Sequence, residues 1–193
     1  NSPWTLRHTA RLRVLDLSDV RALRDPESAE RCGHAVARLF AEVPLLEHLV
    51  VHTIAPSIVP ALCNLCHLHT LWILDWPNGA GNNILQNVLA MPSLRRFGVV
   101  GVPLVQWNRG MATLKKAQRV LSIVTLVVDD FTMPAIENDD SQRRVDVAPS
   151  VWRNLNHLYV GKTAIGEHLL ADAAHLAALQ LETYCGSVSH VGE

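Results

Sequence analysis

Leucines and their apolar substitutes recur along this chain at fixed intervals inside short stretches that are otherwise mixed. Seven stretches fit one pattern, Leu-x-x-Leu-x-Leu-x-x-apolar, and begin at Leu12, Leu46, Leu68, Leu94, Ile123, Leu155 and Leu176. Only the sixth departs at its last site, where Thr163 stands. The fourth and sixth sites are two residues apart and so share one side of an extended strand. In the first copy Leu15 and Leu17 point to one side, and Val14, Asp16 and Ser18 to the other. A strand unit repeated along a chain, with connecting segments between copies, predicts a solenoid whose strands stack as a parallel sheet with the Leu sites in the core.

Successive starts are 34, 22, 26, 29, 32 and 21 residues apart, and the longer intervals leave room for a helix. In 29–43, Cys32, Val36, Leu39, Phe40 and Val43 fall at helical spacing, and Pro44 ends the helix. A second helix is predicted over 57–66, with Ile58, Leu62, Leu65 and Cys66 inward and Ser57 as its cap. A third covers 83–90, stopped by Pro92. A fourth covers 111–120, with Leu114, Ala117, Val120 and Leu121 inward and Lys115, Lys116 and Arg119 outward. A fifth covers 164–175, carrying Ile165, Leu169, Leu170 and Ala173. Strands alternating with helices predict an α/β fold. The competing doubly wound architecture is disfavoured, because every strand keeps the same internal spacing and no strand leads into a Gly-rich phosphate loop.

Two segments interrupt the pattern. The run 76–83, rich in Gly and Asn, reads as an exposed loop. The segment 129–147 holds a polar run from Glu137 to Arg144 and reads as a long surface excursion. Residues 1–193 read as a single solenoid fragment that includes this excursion.

These repeats resemble leucine-rich repeats of the ribonuclease-inhibitor-like class. The wording of several, such as Pro92-Ser-Leu-Arg-Arg-Phe97, Pro44-Leu-Leu-Glu-His-Leu49 and Arg11-Leu-Arg-Val-Leu-Asp-Leu17, is similar to the divergent repeats of fungal F-box/leucine-rich-repeat proteins. The resemblance implies a leucine-rich-repeat solenoid of about seven irregular repeats, with the sheet on the concave face and helices on the convex face. It further implies the substrate-recognition region of a ubiquitin-ligase adaptor. The F-box itself would lie N-terminal to these residues. One departure is plain: the Asn or Cys expected after each strand is replaced by Val20, Ile54, Trp76, Val102, Phe131, Thr163 and Tyr184. The regular Asn ladder is therefore missing.

Strand alternation assigns the outward side of the sheet. Its middle column runs Asp16, Val50, Trp72, Gly98, Val127, Tyr159 and Gln180. From Val50 to Tyr159 that column is apolar and aromatic, and Leu74 and Val100 extend it. Trp and Tyr are frequent binding anchors, and contiguous exposed apolar surface marks interaction sites. His48, His52, Arg96, Asp129 and His157 form a polar rim that suits a protein partner. The alternative is that an absent part of a longer chain covers this patch, as in a ligand-sensing or autoinhibitory repeat region of a signalling or immune protein.

Composition narrows the field. A hydrophobic fraction of 49% with 18% charged residues is that of a globular chain, and aromatics at 5% require an aliphatic core. A formal net charge of -1 provides no general attraction to nucleic acid or anionic membrane. The apolar stretch 43–66 contains Glu47, two histidines and three prolines and does not suit a bilayer span. Four cysteines are too few for a disulfide scaffold, so reduced thiols and an intracellular, cytoplasmic or nuclear setting are expected. No signal peptide is legible, and the chain reads as part of a longer protein.

Candidate chemistry is sparse. Cys63-Asn-Leu-Cys66-His67 matches the haem-attachment pattern, but it leads straight into the third strand, where Cys66 and Leu68 are expected in the core. Cys63, Cys66, His67 and His69 offer zinc ligands, yet closed zinc sites draw their second pair from farther along a chain. His48 and His52 share a side but stand about 13 Å apart. No G-x-S-x-G elbow, dinucleotide fingerprint or Walker A motif is present. No enzyme activity, metal or cofactor is expected.

Overall fold

The computed structural model describes residues 9–77, 83–129, 150–161 and 178–182, with backbone alone for residues 9, 26, 161 and 178–182. Seven strands among them, β1 (Val14–Leu17), β2 (His48–Val51), β3 (Thr70–Ile73), β4 (Arg96–Val100), β5 (Thr125–Asp129), β6 (His157–Gly161) and β7 (Ala178–Glu182), each begin at the third site of one of the seven Leu-patterned stretches. They form one parallel sheet in sequence order. Register follows the pattern site for site: Val14 pairs with His48, His48 with Thr70, Thr70 with Arg96, Arg96 with Thr125, Thr125 with His157, and His157 with Ala178. The helices are α1 (Pro26–Glu42), α2 (Val59–Cys63), α3 (Asn83–Leu89) and α4 (Leu104–Lys116). They pack in a row, α1 on α2, α2 on α3 and α3 on α4. An α/β arrangement of this kind is consistent with a solenoid.

The core lies on the side where the fourth and sixth sites point. Leu49, Val51, Leu71, Ile73, Phe97, Val99, Leu126 and Val128 are all buried, as are the first sites Leu46, Leu68, Leu94, Ile123 and Leu155. In β1 the equivalent Leu12, Leu15 and Leu17 are only partly buried, because no strand among the described residues pairs with its other edge. The last site of the pattern is buried at Ile54, Trp76 and Val102, whereas Val20 beside β1 is exposed.

Backbone hydrogen bonds join the starts of neighbouring strands. The carbonyl of Arg13 accepts from the N–H groups of both Glu47 and His48. Glu47 does the same for His69 and Thr70, His69 for Arg95 and Arg96, Arg95 for Val124 and Thr125, and Val124 for Asn156 and His157. Past the strands, Trp76 N–H donates to the Val100 carbonyl at 2.9 Å, and its indole Nε1–H donates to Gln106 Oε1 at 2.9 Å. Asn154 Nδ2 donates to the Leu121 carbonyl at 2.7 Å. Each turn is thereby tied to its neighbour without a repeated side chain, which satisfies the backbone groups that stacking buries.

Several expectations need correction. α1 starts earlier than the apolar spacing indicates, because Asp25 caps it and Pro26 sits in its first turn. Ser57 caps nothing. It lies in a short 3-10 turn over Pro56–Ile58, and its hydroxyl is buried without a partner among the described residues beside Gly33, where α1 comes too close for any Cβ. α4 begins at Leu104, not 111, since Leu104, Trp107, Met111 and Leu114 make the buried stripe. It stops at Lys116, where Gln118 turns the chain at φ 51, so Ala117 and Val120 are exposed. Trp76 and Pro77, expected in an exposed loop, are buried. The helix expected over 164–175 and the excursion, apart from Asp129, lie outside the described residues. So do the last sites Phe131, Thr163 and Tyr184.

The α1 cap has a pH signature. Ser28 N–H donates to Asp25 Oδ2 at 2.9 Å, and this bond, with a lesser one from the Ser28 hydroxyl, holds the carboxyl below its ordinary 3.8. A depressed carboxylate stabilises the fold above the unfolded value and loses that contribution as pH falls through the folded one. The Asp25→Ala variant is therefore expected to be less stable than the parent at neutral pH. Urea titrations at a series of pH values should show the difference shrinking below 3.8.

Candidate functional site

The outward side of the sheet places the expected binding residues in three rows across the strands. The row at the strand starts contains His48, Thr70, Arg96, Thr125 and His157. Arg96 and His157 are exposed, His48 and Thr125 half-buried and Thr70 buried. The middle row contains Val50, Trp72, Gly98, Val127 and Tyr159, each paired in register with the next. All but Gly98 are half-buried. At the strand ends stand His52 and Val100, both half-buried, then exposed Leu74 and half-buried Asp129. Val100 pairs with Asp129, while His52 and Leu74 lie one residue past β2 and β3.

The middle row owes its shape to Gly98. A Cβ built there would lie 2.0 Å from Trp72 Cε3 and 2.2 Å from Cζ3. The six-membered ring of the indole therefore occupies the space that any other residue at 98 would fill. Trp72 leans sideways across the sheet onto β4, and Gly98 is buried beneath it. The ring is fixed by packing, with its outer surface left in solvent. Sequence alternation put Gly98 in this row without giving it a role. The signal was a glycine and a tryptophan at equivalent sites of adjacent strands, a pairing in which an aromatic covers a strand glycine.

Charges separate to the two margins. At the strand starts, Arg95 and Arg96 are exposed along with His69. Arg95 Nη1 donates to the Ser122 carbonyl at 2.9 Å. Glu47, the carboxylate on this margin, is tied to Arg13 in an ion pair. At the strand ends lie Asp75 and Asp129. Asp16, on the outward side of β1, accepts a bond from Ser18 N–H at 2.9 Å. Its carboxyl is held below 3.8 by the Ser18 hydroxyl and then by that N–H.

The Cys63–His69 segment is less compact than its spacing suggests. Cys66, expected in the core, is exposed, as are His67 and His69, whereas Leu68 is buried. The chain leaves α2 at Cys63 and turns before β3, which carries Cys66 past the helix layer. Among the described residues no three His, Cys, Asp or Glu side chains come together in a way that could hold a metal. Cys63 is half-buried, and its Sγ lies 3.8 Å from the Asn87 carbonyl, to which it donates. Burial pushes its thiol pKa up. Since the thiolate is the reactive form, iodoacetamide at neutral pH is expected to label Cys66 well before Cys63. Peptide mass mapping over time checks this, and earlier labelling of Cys63 would contradict the placement of α2.

Among the described residues no helix is long and apolar enough to cross a membrane. No model of a known protein family, no curated protein and no solved structure matches the chain.

Proposed function

We propose that the protein is a leucine-rich-repeat solenoid that binds another protein, without catalysis, on the outward face of its sheet. The observation that carries this reading is the fixed Trp72 indole. It is half-exposed over Gly98, between Val50 and the Val127–Tyr159 pair, with polar side chains along both margins. A preorganised aromatic in an apolar row loses little conformational freedom on binding, which is the physical basis of an anchor residue. The site residues are His48, Val50, His52, Trp72, Leu74, Arg96, Val100, Val127, Asp129, His157 and Tyr159. The similarity of the repeat wording to F-box/leucine-rich-repeat proteins supports a narrower form, in which the partner is the substrate of an intracellular ubiquitin-ligase adaptor.

The test compares affinity capture by the parent chain and by a Trp72→Ala/Tyr159→Ala double variant. Partners that the parent retains and the folded variant loses support the reading. Unfolding of the double variant, monitored by circular dichroism, would show that these side chains belong to the core and would remove the binding face. A ubiquitin-ligase adaptor subunit captured equally by both forms of the full-length parent supports the narrower form.

A further inference from the structure

The margin at the strand starts says what the partner carries. His48, Thr70, Arg96, Thr125 and His157 stand at equivalent sites of five adjacent strands, and no carboxylate interrupts them. All five side chains can donate hydrogen bonds. Arg96 is central, with His48 two strands away on one side and His157 two strands away on the other, each about 10 Å distant at ordinary strand spacing. The Arg96 guanidinium makes no hydrogen bond or ion pair among the described residues. Glu47, the nearby acid, is already occupied by Arg13. Immediately beside this row lies the Val50–Trp72–Val127 row, and Asp129 is confined to the opposite margin.

We infer that the partner is an acidic peptide segment, extended across the strands, with carboxylates on the Arg96 row and an apolar side chain against Trp72. This rests on the proposed function of the sheet face and adds the chemistry of the occupant. Charge complementarity selects an anion, since a guanidinium beside desolvating apolar surface recognises a carboxylate strongly. The neighbouring row selects a peptide over a nucleic acid. Val50 and Val127 flank the indole with aliphatic surface that fits an apolar side chain of a peptide.

The experiment selects binders to the full chain from a random peptide library displayed on phage. Selected peptides are then measured against the parent, Arg96→Glu, Arg96→Gln and Trp72→Ala. The expected peptides pair Asp or Glu with a large apolar residue. Trp72→Ala weakens them about thirtyfold, and Arg96→Glu weakens them at least about tenfold, with Arg96→Gln between the parent and Arg96→Glu. Replacing the peptide's acid by Lys restores binding to Arg96→Glu. Peptides sensitive to Trp72→Ala but indifferent to both Arg96 variants overturn the acidic segment while leaving the docking face intact. Peptides indifferent to Trp72→Ala overturn both. Tighter binding of oligo(dT) than of any selected peptide, lost in Arg96→Glu, overturns the peptide in favour of nucleic acid.

Discussion

Replacing Trp152 by alanine is expected to lower the unfolding free energy by about 3–5 kcal/mol. Trp152 precedes β6 in the Leu-patterned chain, in a stretch where no helix covers the sheet among the described residues. Its indole is buried and stacks on Trp107 of α4, with ring centroids 6.1 Å apart and planes 6° from parallel. This pair joins the end of the helix row to the turn before β6. Removing one ring leaves a cavity against the other, and neither Val151 nor Leu155, themselves buried, is free to fill it. The loss is one of packing, because Trp152 Nε1 is buried with no hydrogen-bond partner among the described residues. Trp152→Phe, which keeps an aromatic ring and removes that orphan donor, is therefore expected to cost much less than the alanine variant. Urea denaturation of the two variants checks the order. Equal losses would mean that the nitrogen has a partner and that stacking is secondary.

Replacing Trp72 by alanine is expected to weaken partner binding by about 2 kcal/mol or more while costing less in stability than Trp152→Ala. The two tryptophans differ in what surrounds them. Trp152 is enclosed, whereas Trp72 covers Gly98 on one side and meets solvent on the other. Gly98→Ala probes the same contact from beneath. Its Cβ would overlap the indole at 2.0 Å, so the ring has to swing off β4. The displaced ring has only the solvent side to move into, and the movement destroys the preorganised surface. Gly98→Ala should therefore mimic the binding loss of Trp72→Ala with every original side chain still present. Isothermal titration with a selected peptide, alongside denaturation of each variant, separates the two effects. Unchanged affinity in Gly98→Ala would mean that the orientation of the indole does not matter.

Much of the architecture was legible in the residues. Two-residue periodicity at Leu15/Leu17, Leu49/Val51, Leu71/Ile73 and Phe97/Val99 is a direct imprint of strand geometry, and it located the sheet and its outward side. α1 and α3 were legible because apolar spacing and the following prolines, Pro44 and Pro92, agree. α4 was misplaced because its inward stripe includes Trp107, set among Gln106, Asn108 and Arg109, and because nothing local announces that Gln118 takes a left-handed conformation. Trp76 was misread for a related reason. A Gly- and Asn-rich neighbourhood signals a loop, but the indole is drawn into the core by tertiary contacts that include Gln106, thirty positions on. Helical spacing continued beyond Cys63 predicts Cys66 inside, but the chain has already turned there. For the candidate site, alternation supplied the rows. The approach of Trp72 to Gly98, and an Arg96 with no acidic partner among the described residues, depend on side-chain positions that alternation does not set.

The central claim is that a partner docks on the outward face over Trp72. The most direct measurement follows the tryptophan indole N–H signals in a nitrogen-15 NMR titration with a library-selected peptide, assigned with Trp72→Ala. The account predicts that the Trp72 signal shifts and saturates with the binding isotherm, while those of buried Trp107 and Trp152 stay in place. A saturating titration that leaves the Trp72 signal unmoved would contradict it.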